Sequence, residues 1–191
     1  TLDHATVAAV IAAAHRRGKL AVIHIATQAA ARAAVGAGVD GLAHIFTDTP
    51  PAADFASFVL AHHTFVCPTL SVNASVSGTP GGGDLVADPD LAPYLSPEDL
   101  ARLRGTFPHN PAGHADYANA VAAVRALAAA GVPLLAGTDA PNPGTTYGAS
   151  LHGELARLVD AGLTPAPAPT AATAAPATAF HLGDRVRIRA G

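Results

Sequence analysis

The sequence predicts an α/β protein built on a parallel sheet, and two patterns support this. Short apolar runs alternate with segments in which apolar residues recur at helical spacing. Each run is too short for a helix and is bounded by glycine or a polar residue, which is typical of a buried strand. Repeated strand-then-helix units give parallel strands joined by right-handed crossovers.

The apolar runs predict four strands along the chain: Leu20–His24, Gly41–Ile45, Phe65–Leu70 and Val132–Asp139. Helical spacing predicts helices around Val7–Ala14, Gln28–Ala37, Phe55–His62, Leu100–Leu103, Tyr117–Ala128 and Leu151–Val159. Ser96 is the expected cap of the short helix that carries Leu100.

Two architectures fit these units: an open doubly wound sheet, or part of a (β/α)8 barrel. A barrel needs about 250 residues, and this chain of 191 residues supplies half of the eight strands. Four parallel strands alone would leave both edges of the sheet unpaired. The sequence contains no methionine, so we expect Thr1 not to be a natural translation start and the chain to be a piece of a longer protein.

Composition narrows the class of protein. Half of the residues are hydrophobic and 13% are charged, which is typical of a globular domain. The net charge of -3 and the few aromatic residues give no case for nucleic-acid binding. No apolar stretch reaches the roughly 20 residues of a membrane span, and we expect a cytoplasmic protein. Cys67 is the single cysteine, so an internal disulfide is impossible.

The segment 71–97 interrupts the alternation. It is rich in serine, glycine, proline and aspartate, and Gly81, Gly82 and Gly83 stand near its centre. We expect a loop insertion on the face that carries the strand ends, acting either as a mobile lid or as a plain surface loop.

Three metal-capable side chains stand at the ends of predicted strands. His24 ends the first strand, His44 follows Leu42 and Ala43 near the end of the second, and Asp139 ends the fourth. In parallel α/β folds, ligands bind at the carboxyl ends of strands. Imidazoles with a carboxylate suit zinc and similar metals. The pattern Gly36, Gly38, Gly41 matches a dinucleotide fingerprint, but it follows a helix and opens a strand, which is the wrong context.

Several segments together resemble the metal-dependent amidohydrolase superfamily, with imidazolonepropionase and Xaa-Pro dipeptidase-like members as the nearest relatives. They are LAVIHIATQAAARAAVGAGVDGLAHIF from residue 20, FVCPTLSV from residue 65, AGTDAPN from residue 136 and HGEL from residue 152. The resemblance implies that the chain is the C-terminal half of a TIM barrel, strands five to eight. Residues 186–191 would begin a truncated β-sandwich.

The resemblance also implies roles for individual residues. His24, His44 and Asp139 would bind one or two divalent metal ions, zinc being expected. A metal-activated water would attack the carbonyl of an amide or related group in a small molecule or dipeptide and so cleave its C–N bond, with Asp139 as general base. Asn142, Tyr147 and His152 would contact the substrate.

Other features of that family are missing. The sequence has no His-x-His motif and no lysine on a strand that could bridge two metals. The partner expected from this is the missing N-terminal half of the barrel, or a second copy of the chain. The alternative is a non-catalytic binding or scaffold domain, or an inactive fragment that lacks the N-terminal ligands.

Overall fold

The structure is a computed structural model that describes residues 2–108, 115–165 and 168–185. Three short strands form its sheet: β1 (Val22–His24), β2 (Gly41–Ala43) and β3 (Phe65–Cys67). The order is β1-β2-β3 and both pairs are parallel, with Ile23 opposite Leu42 and Leu42 opposite Val66. The predicted α/β class with a parallel sheet is confirmed. The predicted start of a β-sandwich at 186–191 lies outside the described residues.

Helices follow the strands as the alternating pattern predicts. The helices, in chain order, are α1 (His4–His15), α2 (Gln28–Gly36), α3 (Phe55–Ala61), α4 (Leu70–Val76), α5 (Gly83–Ala87), α6 (Pro97–Leu103), α7 (Tyr117–Ala130), α8 (Ala149–Asp160), α9 (Ala168–Ala172) and α10 (Ala174–Ala179), with a 3₁₀ turn at Ala92–Tyr94. Ser96 caps α6 through a capping box with Asp99, as its sequence predicts.

The fourth predicted strand is present only as one bridge beside β3. Leu134 pairs in parallel with Val66, and Val66 donates to Pro133 O at 2.9 Å while Leu135 donates to Val66 O at 2.8 Å. Ala136 then donates to Ala171 O at 2.7 Å. The backbone therefore leaves the sheet before it reaches Asp139, because its next partner lies on α9.

The third predicted strand is shorter than expected. It stops at Cys67, because Pro68 has no N–H to donate to a sheet. Leu70, predicted as strand, begins α4 instead.

The predicted loop at 71–97 is also different in the structure, where it contains two helices and a 3₁₀ turn. Ser71 to Ser75 are buried on α4, which contacts α7 and α8. Gly81 and Gly82 are buried as well. A β-carbon on Gly81 would collide with the backbone oxygen of Ser71. Glycine at position 81 allows two backbone segments to approach closely. A tightly packed segment of this kind has the same glycine-rich composition as a flexible loop, so composition alone did not distinguish them.

The core lies between the sheet and the helices that cover it. Its largest fully buried side chains include Phe46, Phe55, Leu42, Leu127 and Leu158. Among the described residues, no helix has both the length and the apolar character that a membrane crossing requires.

Candidate metal centre at the carboxyl ends of the strands

The three predicted ligands lie near one another at or beyond the carboxyl ends of β1 and β2. His24 is the last residue of β1, and His44 directly follows β2. The rings of His24 and His44 pack edge to face, with centroids 4.5 Å apart. His44 Nε2 lies 4.0 Å from Asp139 Oδ2. The parallel register brings the two histidines together, since β1 and β2 end level with each other.

All three side chains line a cavity of about 270 Å³. Its other walls are mostly apolar: Ile25, Ala26, Ile45, Thr47, Val72, Asn73, Val76 and Phe107. Val72, Asn73 and Val76 lie on α4. Sequence reasoning missed them because it assigned this segment to a loop.

His44 is held firmly by its surroundings. Its side chain is 13% exposed, and its Nδ1 lies 2.6 Å from Thr69 Oγ1. Burial lowers the pKa of His44, the nearby His24 lowers it further, and Asp139 opposes both effects. A neutral imidazole that donates from Nδ1 to Thr69 leaves Nε2 free as a lone-pair donor on the side of Asp139.

Unusual backbone conformations gather at this edge. Five non-glycine residues of the described chain have positive φ, and three of them are His44 (74°), Thr69 (50°) and Asp139 (54°). Such conformations cost energy for residues with side chains, and in folded proteins they cluster at functional sites. Here the positive φ angles of His44 and Asp139 occur at residues that line the cavity.

The three predicted substrate residues are placed differently from one another. Asn142 donates through Nδ2 to Asp139 O at 2.6 Å and to Asp139 Oδ2 at 3.0 Å, so its contact is with the carboxylate. Tyr147 is 73% exposed and His152 is exposed on α8. Neither lines the cavity described above.

The donors do not close around a single point. In the part of the chain that the structure describes, no three side chains of His, Cys, Asp or Glu lie close enough together to hold a metal ion. Two imidazoles and a carboxylate border the same cavity, and His24 and Asp139 are exposed to solvent.

Glu154 is a buried carboxylate that sequence reasoning missed. It is fully buried on α8, and its two oxygens accept from Leu70 N and Ser71 N, each at 2.8 Å. Burial raises its pKa to about 7, against the lowering effect of those two bonds and of Arg157. The signal was present: Glu154 stands three residues after Leu151 and four before Leu158, on the apolar face of a predicted helix.

Comparison with known proteins shows the family of the chain. The sequence profile of the Amidohydrolase family matches residues 1–191, and the chain belongs to that family. The search of curated protein sequences found no match.

Solved structures with a similar fold align over all or nearly all of this chain. A Xaa-Pro dipeptidase with bound methionine in the active site aligns over 100% of this chain and 41% of its own, with a TM-score of 0.69 and 20% identity. A putative prolidase from Bifidobacterium longum covers 100% and 43%, with a TM-score of 0.68 and 22% identity. Bottromycin amidohydrolase covers 93% and 44%, with a TM-score of 0.60 and 27% identity. The chain thus spans well under half the length of these proteins.

Proposed function

We propose that this chain contributes the second half of the active site of a metal-dependent hydrolase that cleaves an amide-type C–N bond. The observation that carries the proposal is the convergence of His24, His44 and Asp139 on one cavity at the carboxyl ends of parallel strands. In this proposal the strands are the fifth to eighth of a (β/α)8 barrel, and the preceding half supplies further ligands.

The donor set suits a zinc-type ion. Two imidazoles and a carboxylate are ligands that zinc commonly takes, and the Thr69 contact leaves Nε2 of His44 available as a ligand atom. When bound, a divalent metal would polarise the substrate carbonyl and lower the pKa of water. His24, His44 and Asp139 would hold it together with residues from the other half.

Asp139 is the proposed general base. Its carboxylate is 47% exposed and borders the cavity, so a water molecule in the cavity can reach it. Asp139 accepts a proton as water adds to the carbonyl carbon, and returns it to the leaving nitrogen as the C–N bond breaks. Asn142 orients the carboxylate by donating to Oδ2.

A small, largely apolar dipeptide is the proposed substrate class. The cavity lining combines one buried amide, on Asn73, with aliphatic and aromatic side chains. Apolar walls with a few polar groups favour a ligand with an apolar side chain. The prolidase structures similar to this chain, one of them complexed with N-methylphosphonate-L-proline, make Xaa-Pro dipeptides the first compounds to test.

The proposed partner is the other half of the barrel, seated on the free edge of β1. Among the described strands, β1 pairs with β2 alone. Leu2, Val10 and Val22 beside it are 64%, 55% and 46% exposed. Exposed aliphatic side chains at the unpaired edge of a strand indicate a surface that another segment covers.

The test compares this chain alone with the same chain joined to the coding sequence that precedes it in its natural reading frame. We expect the joined protein to bind metal in stoichiometric amounts and to hydrolyse Xaa-Pro dipeptides, and the isolated chain to do neither. The matched control carries Asp139→Asn. A joined protein that binds metal but cleaves no amide would favour the alternative, a non-catalytic binding domain.

A further inference from the structure

Helix α4 begins in an unusual way. The first N–H groups of a helix have no partner within it, and a threonine at the N-cap normally accepts from one of them. Thr27 does this at the start of α2, where its side chain accepts from Ala30 N at 3.2 Å. Thr69 holds the same position before α4 but makes no capping bond with its side chain.

The backbone of Thr69 is also unlike that of an ordinary cap. Thr27 is extended, with φ −129° and ψ 152°. Thr69 is left-handed, with φ 50° and ψ 52°. Its hydroxyl lies 2.6 Å from His44 Nδ1 instead. The residue that would normally cap α4 is thus used to hold a proposed metal ligand.

Glu154, which lies 84 residues after Leu70, accepts hydrogen bonds from the start of α4 in place of the Thr69 side chain. Its Oε1 accepts from Leu70 N and its Oε2 from Ser71 N, both at 2.8 Å. These are the first two N–H groups of α4, the groups nearest to Thr69. The carboxylate is fully buried, so water cannot replace these hydrogen bonds if they are lost.

The surroundings of Glu154 keep its helix in place. Arg157, one turn further along α8, donates to Gly81 O at 2.9 Å and to Tyr117 Oη at 3.2 Å. Its guanidinium also lies 5.5 Å from the centre of the Tyr117 ring. The side of α8 that faces α4 is therefore tied to two other parts of the chain.

We propose that Glu154 is a positioning residue: by occupying the first N–H groups of α4, it leaves the Thr69 hydroxyl free to hold His44 Nδ1. Without the carboxylate, the Thr69 hydroxyl would turn to accept from Ser71 N, the second N–H of α4 and a normal target of an N-cap side chain, and His44 would lose its partner. The hydrogen bond between His44 and Thr69 does not depend on the presence of a metal. The effect of Glu154 on metal affinity, however, rests on the proposed function.

The direct test is ¹⁵N NMR of the histidine rings in the metal-free protein, with His44 assigned through a His44→Gln variant. We expect the wild type to show a single His44 tautomer protonated at Nδ1. Glu154→Gln and Thr69→Val should each shift His44 toward a mixture of tautomers, and Thr69→Ser should restore the wild-type signal. Since both residues act through one contact, the double variant should change His44 no more than either single one.

Leu158→Ala is the control, because Leu158 is fully buried on the same helix and its aliphatic side chain cannot hydrogen-bond to these polar groups. It should lower stability and leave the His44 tautomer unchanged. All variants are measured in sucrose, which favours the folded state. A normal His44 signal in Glu154→Gln would overturn the proposal. So would a Glu154→Gln variant that stays unfolded where Leu158→Ala folds, since Glu154 would then support the fold as a whole.

Zinc titration separates this inference from the proposed function. If both hold, the joined protein binds zinc, and Glu154→Gln and Thr69→Val weaken binding by roughly 10- to 100-fold, as is usual for residues that orient a ligand. A wild type that binds no zinc but shows the expected tautomers would remove the metal proposal and keep the positioning role. Unchanged zinc affinity together with unchanged tautomers would remove the positioning role alone.

Discussion

His44 and Thr69 follow neighbouring strands of the sheet, and Nδ1 of His44 lies 2.6 Å from Oγ1 of Thr69. Both residues have positive φ, which is uncommon outside glycine. The same contact that occupies Nδ1 leaves Nε2 4.0 Å from the carboxylate of Asp139. One hydrogen bond thereby decides which nitrogen of His44 faces the cavity.

The first prediction concerns metal binding by His44. In the joined protein, His44→Ala should weaken zinc binding by more than the roughly 10- to 100-fold expected for an outer partner, because it removes a ligand atom. Competition with a chromophoric chelator measures the affinity. His62→Ala is the control, since His62 is an exposed histidine at the end of α3. Equal zinc affinities in the two variants would remove His44 from the ligand set.

The sequence was sufficient to predict that His24, His44 and Asp139 border one cavity. Strand ends and the parallel connection are local properties, and together they bring side chains to one edge. The contact between Glu154 and the start of α4 was beyond it, because it joins residues 84 positions apart. Serine and glycine, as at Ser71 and Gly81, suit a loose loop as well as a tightly packed segment, and only the packing partner distinguishes the two.

The second prediction concerns stability and pH. The folded-state pKa of Glu154 is raised to about 7 from its ordinary 4.5, with burial as the main cause. Between those values the folded protein holds a proton that the unfolded chain releases, so this group favours folding below pH 4.5 and the benefit is lost as pH rises through 7. We expect the free energy of unfolding to fall by up to about 3 kcal/mol over this range from this group.

Urea unfolding of the wild type and of Glu154→Gln between pH 4.5 and 8 tests this. Other groups titrate equally in both proteins, so the difference between the two curves isolates Glu154. Glu154 interacts electrostatically with Tyr117 and Cys67. Tyr117 and Cys67 have pKa values raised by burial, that of Cys67 to about 12, and both lie above this range. Parallel curves for the two proteins would show that Glu154 does not titrate in this interval.

The third prediction concerns the packing of the segment 71–97. Gly81→Ala should destabilise the protein by about 1–3 kcal/mol, because the added carbon meets the Ser71 backbone and the neighbouring Gly144 oxygen. Gly83→Ala is the matched control. A β-carbon there meets nothing within 4 Å, and alanine in α5 should be neutral or stabilise by about 0.4–1 kcal/mol. Urea midpoints decide the matter, and equal midpoints would indicate that this segment is a loose loop.

The last prediction concerns the free edge of β1. Val22 and His24 share a face of the strand, since side chains alternate along it, and Val22 is 46% exposed. If the other barrel half covers this face, Val22→Lys would place an unpaired charge inside the closed barrel, which is costly. We expect the variant chain to keep its own stability but to lose the ability to assemble with a separately expressed N-terminal half. Co-purification and zinc binding of the mixture measure this assembly.

Tyr94→Lys is the control, at a position that is 85% exposed on the 3₁₀ turn, and it should recombine like the wild type. Recombination of Val22→Lys at wild-type level would show that the partner does not cover β1, and wild-type chains that pair only with themselves would indicate a second copy as the occupant.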